Sequence, residues 1–132
     1  MRYLLDTNIV SDLIRNPQGR VTEHIKMIGE GRVCTSIIVA AELRYGAVRR
    51  GSERLSKRVE RVLEALDVLP LEAPSDVIYA QLRSRLEETG QLIGGNDLLI
   101  AAQAIALGHA IVSNNEREFA RIKGLIYENW LR

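Results

Sequence analysis

Short apolar runs alternate with longer stretches of helical periodicity along all 132 residues, and parallel strands joined by helices require that alternation. Strands are predicted near Tyr3 to Leu5, Arg32 to Thr35, Val68 to Leu69, Ala110 to Val112 and Leu125 to Tyr127. Thr7 or Asn8 is a competent cap for a helix through about Arg15, and Pro17 suits the opening of another through about Ile28, closed by Gly29 and Gly31. Ser36 caps a run to about Arg49, and Gly51-Ser52 opens a helix to about Leu66. Pro74-Ser75 starts the next, which reaches Glu88 and stops at Gly90; Asn96 caps the last, which ends at Gly108. The expected fold class is α/β, one domain over residues 1–132, in three layers: a central, mostly parallel sheet of about five strands flanked by helices. Crossovers in such sheets are right-handed and ligands collect at the carboxyl ends of the strands, so chemistry is sought there.

Composition matters at three points. Hydrophobic residues make up 46% and charged residues 27%, enough to bury a core. The formal charge of +1 argues for neither a nucleic-acid-coating protein nor an acidic buffer, so any attraction for nucleic acid must be local. Cys34 is the single cysteine and has no internal disulfide partner; in Val33-Cys34-Thr35 it reads as a small buried thiol. Asp6 interrupts the N-terminal apolar run before a signal-peptide core forms, and runs such as Ile37 to Ala41 fall far short of the ~18 residues of a membrane helix. A reducing, cytoplasmic setting is the expectation.

Three acids stand in unusual places. Asp6 follows the first strand directly, where Thr7 and Asn8 already offer two helix caps. Glu42 lies within Ile37-Ile38-Val39-Ala40-Ala41-Glu42-Leu43, and an unpaired carboxylate on a helix buried on most sides costs several kcal/mol unless a cation or proton meets it. The structural alternative pairs it with Arg2, Arg44 or another arginine. Asp97 opens an apolar helix after Gly94-Gly95, where an acid gains ~0.3–1 kcal/mol from the helix dipole and where glycine permits close backbone approach. Each acid lies at or near the start of a helix, and the topology is expected to bring them to one edge. Two such charges ~5 Å apart repel by ~3 kcal/mol at an effective dielectric near 20, and a divalent cation relieves this. All-oxygen ligation suits Mg²⁺, with Mn²⁺ as a substitute; His24 and His109 make no zinc pattern.

Asp6-Thr7-Asn8 after a strand, Glu42 in Ala41-Glu42-Leu43-Arg44-Tyr45-Gly46, Gly95-Asn96-Asp97-Leu98-Leu99-Ile100-Ala101-Ala102, and Ser113-Asn114-Asn115-Glu116-Arg117-Glu118-Phe119 together resemble the PIN-domain ribonucleases. The branch they most resemble is the VapC toxins of bacterial type II toxin–antitoxin modules, and the match runs on through Gly124-Leu125 and Asn129-Trp130. The resemblance implies a PIN-like fold and a Mg²⁺-dependent endoribonuclease, with the metal held by Asp6 and Asp97 and the acidic cluster completed by Glu42. It also implies a homodimer, a higher assembly with a VapB-like antitoxin, and an RNA substrate from the translation machinery, commonly tRNA. Thr7 and Asn8 are then expected to hold the metal's ligands in place. Many relatives carry a fourth acid after the fourth strand, where this chain has Asn115; that leaves a second metal open. Glu118 is the candidate for the missing charge, with Asn115 and Ser113 orienting a water or a phosphate oxygen.

Arg44 to Arg61 holds seven Lys or Arg against Glu53 and Glu60. On a helix Arg50, Arg54, Lys57 and Arg61 form one stripe, opposite Leu55, Val59, Val62, Leu63 and Leu66, and that stripe is the expected RNA contact. One Trp, four Tyr and one Phe are too few for a base-stacking platform. Two alternatives remain: a non-catalytic binding module within a toxin–antitoxin or DNA-bound complex, in which the acids are caps and ion pairs, and a phosphatase or receiver-like domain with Asp6 as nucleophile. The second needs an active-edge lysine, and Lys26, Lys57 and Lys123 are poorly placed for that.

Overall fold

A computed structural model describes residues 1–132. Five strands form one sheet: β1 (Tyr3–Leu5), β2 (Val33–Ser36), β3 (Val68–Leu69), β4 (Ala110–Val112) and β5 (Tyr127–Glu128), in the order β3-β2-β1-β4-β5. Every neighbouring pair is parallel. The helices are α1 (Thr7–Arg15), α2 (Arg20–Ile28), α3 (Ile37–Arg50), α4 (Glu53–Ala65), α5 (Ser75–Glu88), α6 (Gly95–Leu107) and the single turn α7 (Glu116–Phe119). With right-handed crossovers, α1 to α4 cover one face as the chain moves outward from β1 to β3, and α5 to α7 cover the other as it returns to β4 and β5.

Register fixes where the site lies. Leu5 is level with Thr35 on one side and Val112 on the other, so the next residues, Asp6, Ser36 and Ser113, form a row along the carboxyl edge of the three central strands. The chain reverses its direction of travel across the sheet at β1, which makes the crevice between the ends of β1 and β4 the switch point. The strands are two to four residues long, and because both faces of the sheet are covered their central residues are apolar throughout: Leu4, Leu5, Ile111 and Val112 are wholly buried. On α6, Leu98, Ile100, Ala101, Ala102, Gln103 and Ala104 are buried; its alanines let that helix lie close against α5 and the sheet. Cys34 is buried, and burial pushes its thiol up to about 11, so it is an inert packing residue.

Several expected boundaries move, each for a local reason. Asp6, rather than Thr7 or Asn8, caps α1. Asn96 is not a cap: α6 begins at Gly95 behind Gly94, which leaves Asn96 and Asp97 in the first turn. Pro17 does not open α2; residues 17–19 turn first, and the Thr22 hydroxyl donates back to the Pro17 carbonyl at 2.8 Å. Leu125 is buried ahead of β5 instead of beginning it, after Gly124 turns the chain at φ 86°. Ser36 and Ser52 do cap α3 and α4, accepting from the Ile38 and Leu55 amides at 3.0 and 3.1 Å, contacts of ~1 kcal/mol each.

Candidate active site

Asp6 is 2% exposed at the end of β1. Its amide extends the ladder to the Val112 carbonyl at 2.9 Å. One carboxylate oxygen accepts from the Thr7 amide at 2.8 Å, and the other from the Ser113 hydroxyl at 2.7 Å and the Asn8 amide at 3.3 Å. Capping and site placement therefore coincide in one residue: the backbone that ends β1 aims the acid into the switch-point crevice. Burial raises the Asp6 pKa and neighbouring Glu42 adds to the rise, while the Ser113, Thr7 and Asn8 hydrogen bonds resist it.

Glu42 reaches the same edge from α3, and its Oε1 accepts from the Thr7 hydroxyl at 2.6 Å. It is half-buried, not enclosed on most sides as its apolar neighbours suggest, because Ile37, Ala41, Tyr45 and Val48 on that helix face outward. Nor is it an ion-pair member. Arg2 pairs with Asp67 and Arg44 with Glu60, both at 2.9 Å.

Asp97 enters from the opposite layer, in the first turn of α6. Its Oδ2 accepts from the Asn115 amide at 2.9 Å. That amide also donates to Glu118, whose Oε1 accepts from the Gly94 amide at 2.7 Å. Burial, then the charges of Asp6 and Glu118, push the Asp97 carboxyl up to about 7. Glu118 moves the other way: although burial opposes it, the Gly94 and Asn115 donors, Asp97 and Arg121 hold it below the usual glutamate range. The Gly94-Gly95 step supplies this amide and not a close approach, since a Cβ on Gly95 meets open space. Ser113 joins the two halves by donating to Asp6 and accepting from the Asn115 backbone N–H at 2.9 Å, and the Asn8 side-chain Oδ1 accepts from the Asn114 backbone N–H at 3.0 Å.

The three acids thus meet along one edge, with Asp6 between Glu42 and Asp97 and feeling the charge of one and adding to that of the other. They do not form the tight cluster expected: no three His, Cys, Asp or Glu side chains close on a single point. Each carboxylate has its own donor, Thr7 for Glu42, Ser113 for Asp6 and Asn115 for Asp97. The donor chemistry nevertheless fits a hard dication. The groups there able to ligate are carboxylate and hydroxyl oxygens, since the Asn8 and Asn115 side-chain nitrogens are N–H donors; His24 stacks on Trp130 with ring centroids 5.0 Å apart, and His109 lies beyond the end of α6. Mg²⁺ is commonly held by one or two carboxylates, completing its shell with water and substrate phosphate, so a closed protein cage is not needed.

A groove of about 230 Å³ leads away from Thr7 and Glu42 between α1, α3 and α4, floored by Leu43, Ala47, Leu55 and Val59 and bounded by Arg15 and Arg50. Arg15 was not singled out from the sequence, although Thr7, Ser11 and Arg15 recur at the four-residue spacing that shares a helix face. The expected basic stripe divides. Arg50 belongs to α3 and lines this groove, whereas Arg54, Lys57 and Arg61 lie exposed on α4, on the side opposite its buried Val59 and Leu63. Arg58 turns inward to the Ile14 carbonyl and Arg44 is engaged by Glu60, so less of the local charge is free than the sequence suggests.

Comparisons with known proteins match this chain in sequence and in fold. The PIN domain family model matches residues 3–125. The Ribonuclease VapC2 of Rickettsia felis is 37% identical over 132 residues, covering 98% of each chain. A tRNA(fMet)-specific endonuclease VapC of Shigella flexneri is 35% identical over 131 residues, again covering 98% of each. Among solved structures, a crystal structure of VapBC2 from Rickettsia felis bound to a DNA fragment from its promoter matches with a TM-score of 0.90 at 36% identity, over 98% of this chain and 99% of that one. A structure of VapBC-1 from nontypeable Haemophilus influenzae matches with a TM-score of 0.89 at 32% identity over the whole of both chains.

Proposed function

We propose, from the premise that this chain belongs to the PIN domain family and to its VapC ribonuclease branch, that Asp6 and Asp97 hold a Mg²⁺ ion for phosphodiester hydrolysis. The chain is an endoribonuclease; what is proposed is how these residues do the work and on which RNA. The observation that carries the reading is the meeting of Asp6, from the end of β1, and Asp97, from the first turn of α6, at the switch-point crevice, with no Lys or Arg paired to either carboxylate. Bound there, Mg²⁺ supplies charge neutralisation at the scissile phosphate and makes a water more acidic. Glu42, with Oε1 occupied by Thr7, offers Oε2 to take the proton from the attacking water. Thr7, Asn8 and Ser113 hold Glu42 and Asp6 in orientation, and Asn115 and Glu118 do the same for Asp97. Water is the nucleophile, so the products carry a 5′ phosphate and a 3′ hydroxyl.

Arg15 and Arg50, which line the same groove as Glu42, make the nearest phosphate contacts, and Arg54, Lys57 and Arg61 add attraction at longer range. The substrate is an RNA of the translation machinery, tRNA in the first place, as the name of the Shigella flexneri relative suggests. A VapB-like antitoxin inhibits the enzyme, a reading supported by relatives solved as VapBC complexes. The setting is cytoplasmic; no helix is long and apolar enough to cross a membrane. A second copy of the chain covers the outward stripe of Ile37, Tyr45 and Val48 on α3.

The test is incubation of the purified chain with total RNA in Mg²⁺, in EDTA and with Asp97→Asn, followed by end mapping. Mg²⁺-dependent cuts with the stated ends, lost in EDTA and in the variant, support the reading. Cleavage that survives both removes Asp97 and the metal from the mechanism. Absence of cleavage together with absence of a Mg²⁺-induced rise in melting temperature favours the non-catalytic module.

A further inference from the structure

Two cavities meet at Arg15. It lines the groove that holds Glu42 and Arg50, and it also lines a separate cavity of about 560 Å³ between the end of α1 and the start of α2. Asp12, Asn16, Gln18, Arg20 and Leu131 form much of the second cavity's wall. The turn between the helices holds that wall in shape: the Gly19 amide donates to the Asn16 carbonyl at 2.9 Å, the Thr22 hydroxyl donates to the Pro17 carbonyl at 2.8 Å, and a Cβ on Gly19 would stand 3.0 Å from the Asn16 Cβ. Neither Arg15 nor Arg20 pairs with a carboxylate. Arg20 gives one N–H to the Leu131 carbonyl at 3.2 Å, which steadies the guanidinium and leaves its other donors free. Asp12 is the one acid on the wall, and its Oδ1 accepts from the Asn16 side-chain amide at 2.8 Å. Two guanidinium groups thus face one engaged carboxylate, and planar guanidinium donors suit phosphate oxygens. From Thr7 to Arg15, α1 rises about 12 Å, so a phosphate held in this cavity is not the one being cut.

We infer that the cavity between α1 and α2 holds a backbone phosphate of the RNA strand that flanks the scissile bond, with Arg20 as its substrate-positioning residue and Arg15 passing the strand from the groove into the cavity. This rests on the RNA reading of the preceding section and extends it to a part of the surface beyond the acids. The contact is to the sugar-phosphate backbone, so it positions the strand without reading its sequence. Asp12 opposes the same phosphate by its charge, which gives the two sides of the wall effects of opposite sign.

Binding without cleavage is the readout. A fluorescein-labelled oligouridylate of about 12 nucleotides, chosen to span groove and cavity, is titrated with the full chain in EDTA and followed by anisotropy across a range of salt. Arg20→Ala should weaken binding about fivefold and lower the slope of log Kd against log salt by about 0.7, the share of one phosphate on a single strand. Arg20→Lys should restore part of both, and Asp12→Asn should tighten binding, which a merely structural role for either residue would not produce. Arg85→Ala, which removes the same charge from an exposed site on α5 in the opposite layer, should change neither quantity. The stoichiometry should be one oligonucleotide per chain. Wild-type affinity in Arg20→Ala, weaker binding in Asp12→Asn, an equal loss in Arg85→Ala, or two oligonucleotides per chain overturns the inference. No binding by the wild type overturns the RNA reading itself, which separates that failure from this one.

Discussion

At the residue scale, Asp6 combines a helix cap with a charge the fold does not fully compensate, and the two roles are separable by substitution. Asp6→Asn keeps an oxygen for the Thr7 amide but removes the charge next to Glu42 and Asp97. It should lower kcat by about a hundredfold or more, a loss on the scale of removing a group that acts in the transition state, while the melting temperature without metal stays level or rises. A variant that cleaves RNA normally would take Asp6 out of the chemistry.

Asp97 gives the pH dependence. Its native pKa of about 7 lies above the ordinary 3.8, so the native state binds this proton more tightly than the unfolded chain does. Stability of the metal-free protein should therefore fall as pH rises from about 4 through 7, and Asp6, also raised, contributes in the same direction. Glu118, lowered, has the opposite sign, and its contribution is lost only as pH falls below the ordinary glutamate range. Melting curves between pH 4 and 8 should show the decline, Asp97→Asn should flatten it, and Mg²⁺ should reverse it at the alkaline end.

Among the elements, β4 and the turn after it tie the two halves of the site together through one hydroxyl. Ser113, itself buried, donates to Asp6 and accepts from the Asn115 backbone amide N–H. Ser113→Ala leaves that amide without its acceptor and should cost ~1–3 kcal/mol in denaturant unfolding, together with a loss in kcat larger than any change in KM. The α1–α3–α4 groove carries a different prediction. Charge reversal of Arg15 and Arg50 should raise KM more than it lowers kcat and reduce the salt dependence of RNA binding, with Arg54→Glu and Lys57→Glu producing a weaker form of the same effect. A KM indifferent to salt would count against the groove as an RNA path.

For the whole molecule, the sheet order decides the chemistry, because helices from opposite layers deliver Glu42 and Asp97 to either side of Asp6 only when β4 lies beside β1. The outward face of α3 adds an assembly prediction. Tyr45 is 68% and Val48 76% exposed one turn apart, and Ile37 continues the stripe. Light scattering on the purified chain should give a dimer mass, and Val48→Glu should shift it toward the monomer without lowering the melting temperature of the isolated subunit.

The strand and helix alternation, four of the five strand positions, the serine caps of α3 and α4 and the three acids were all legible in the amino-acid order, because each depends on neighbours within a few residues. Contacts between segments far apart in sequence were not. That Thr7 holds Glu42, that Asn115 bridges Asp97 and Glu118, that Arg44 is taken by Glu60 and that Arg15 faces the groove depend on which layer each helix joins and how far each side chain reaches. A local pattern fixes which face of an element is apolar, but partner, distance and protonation arise only once packing has chosen what stands opposite.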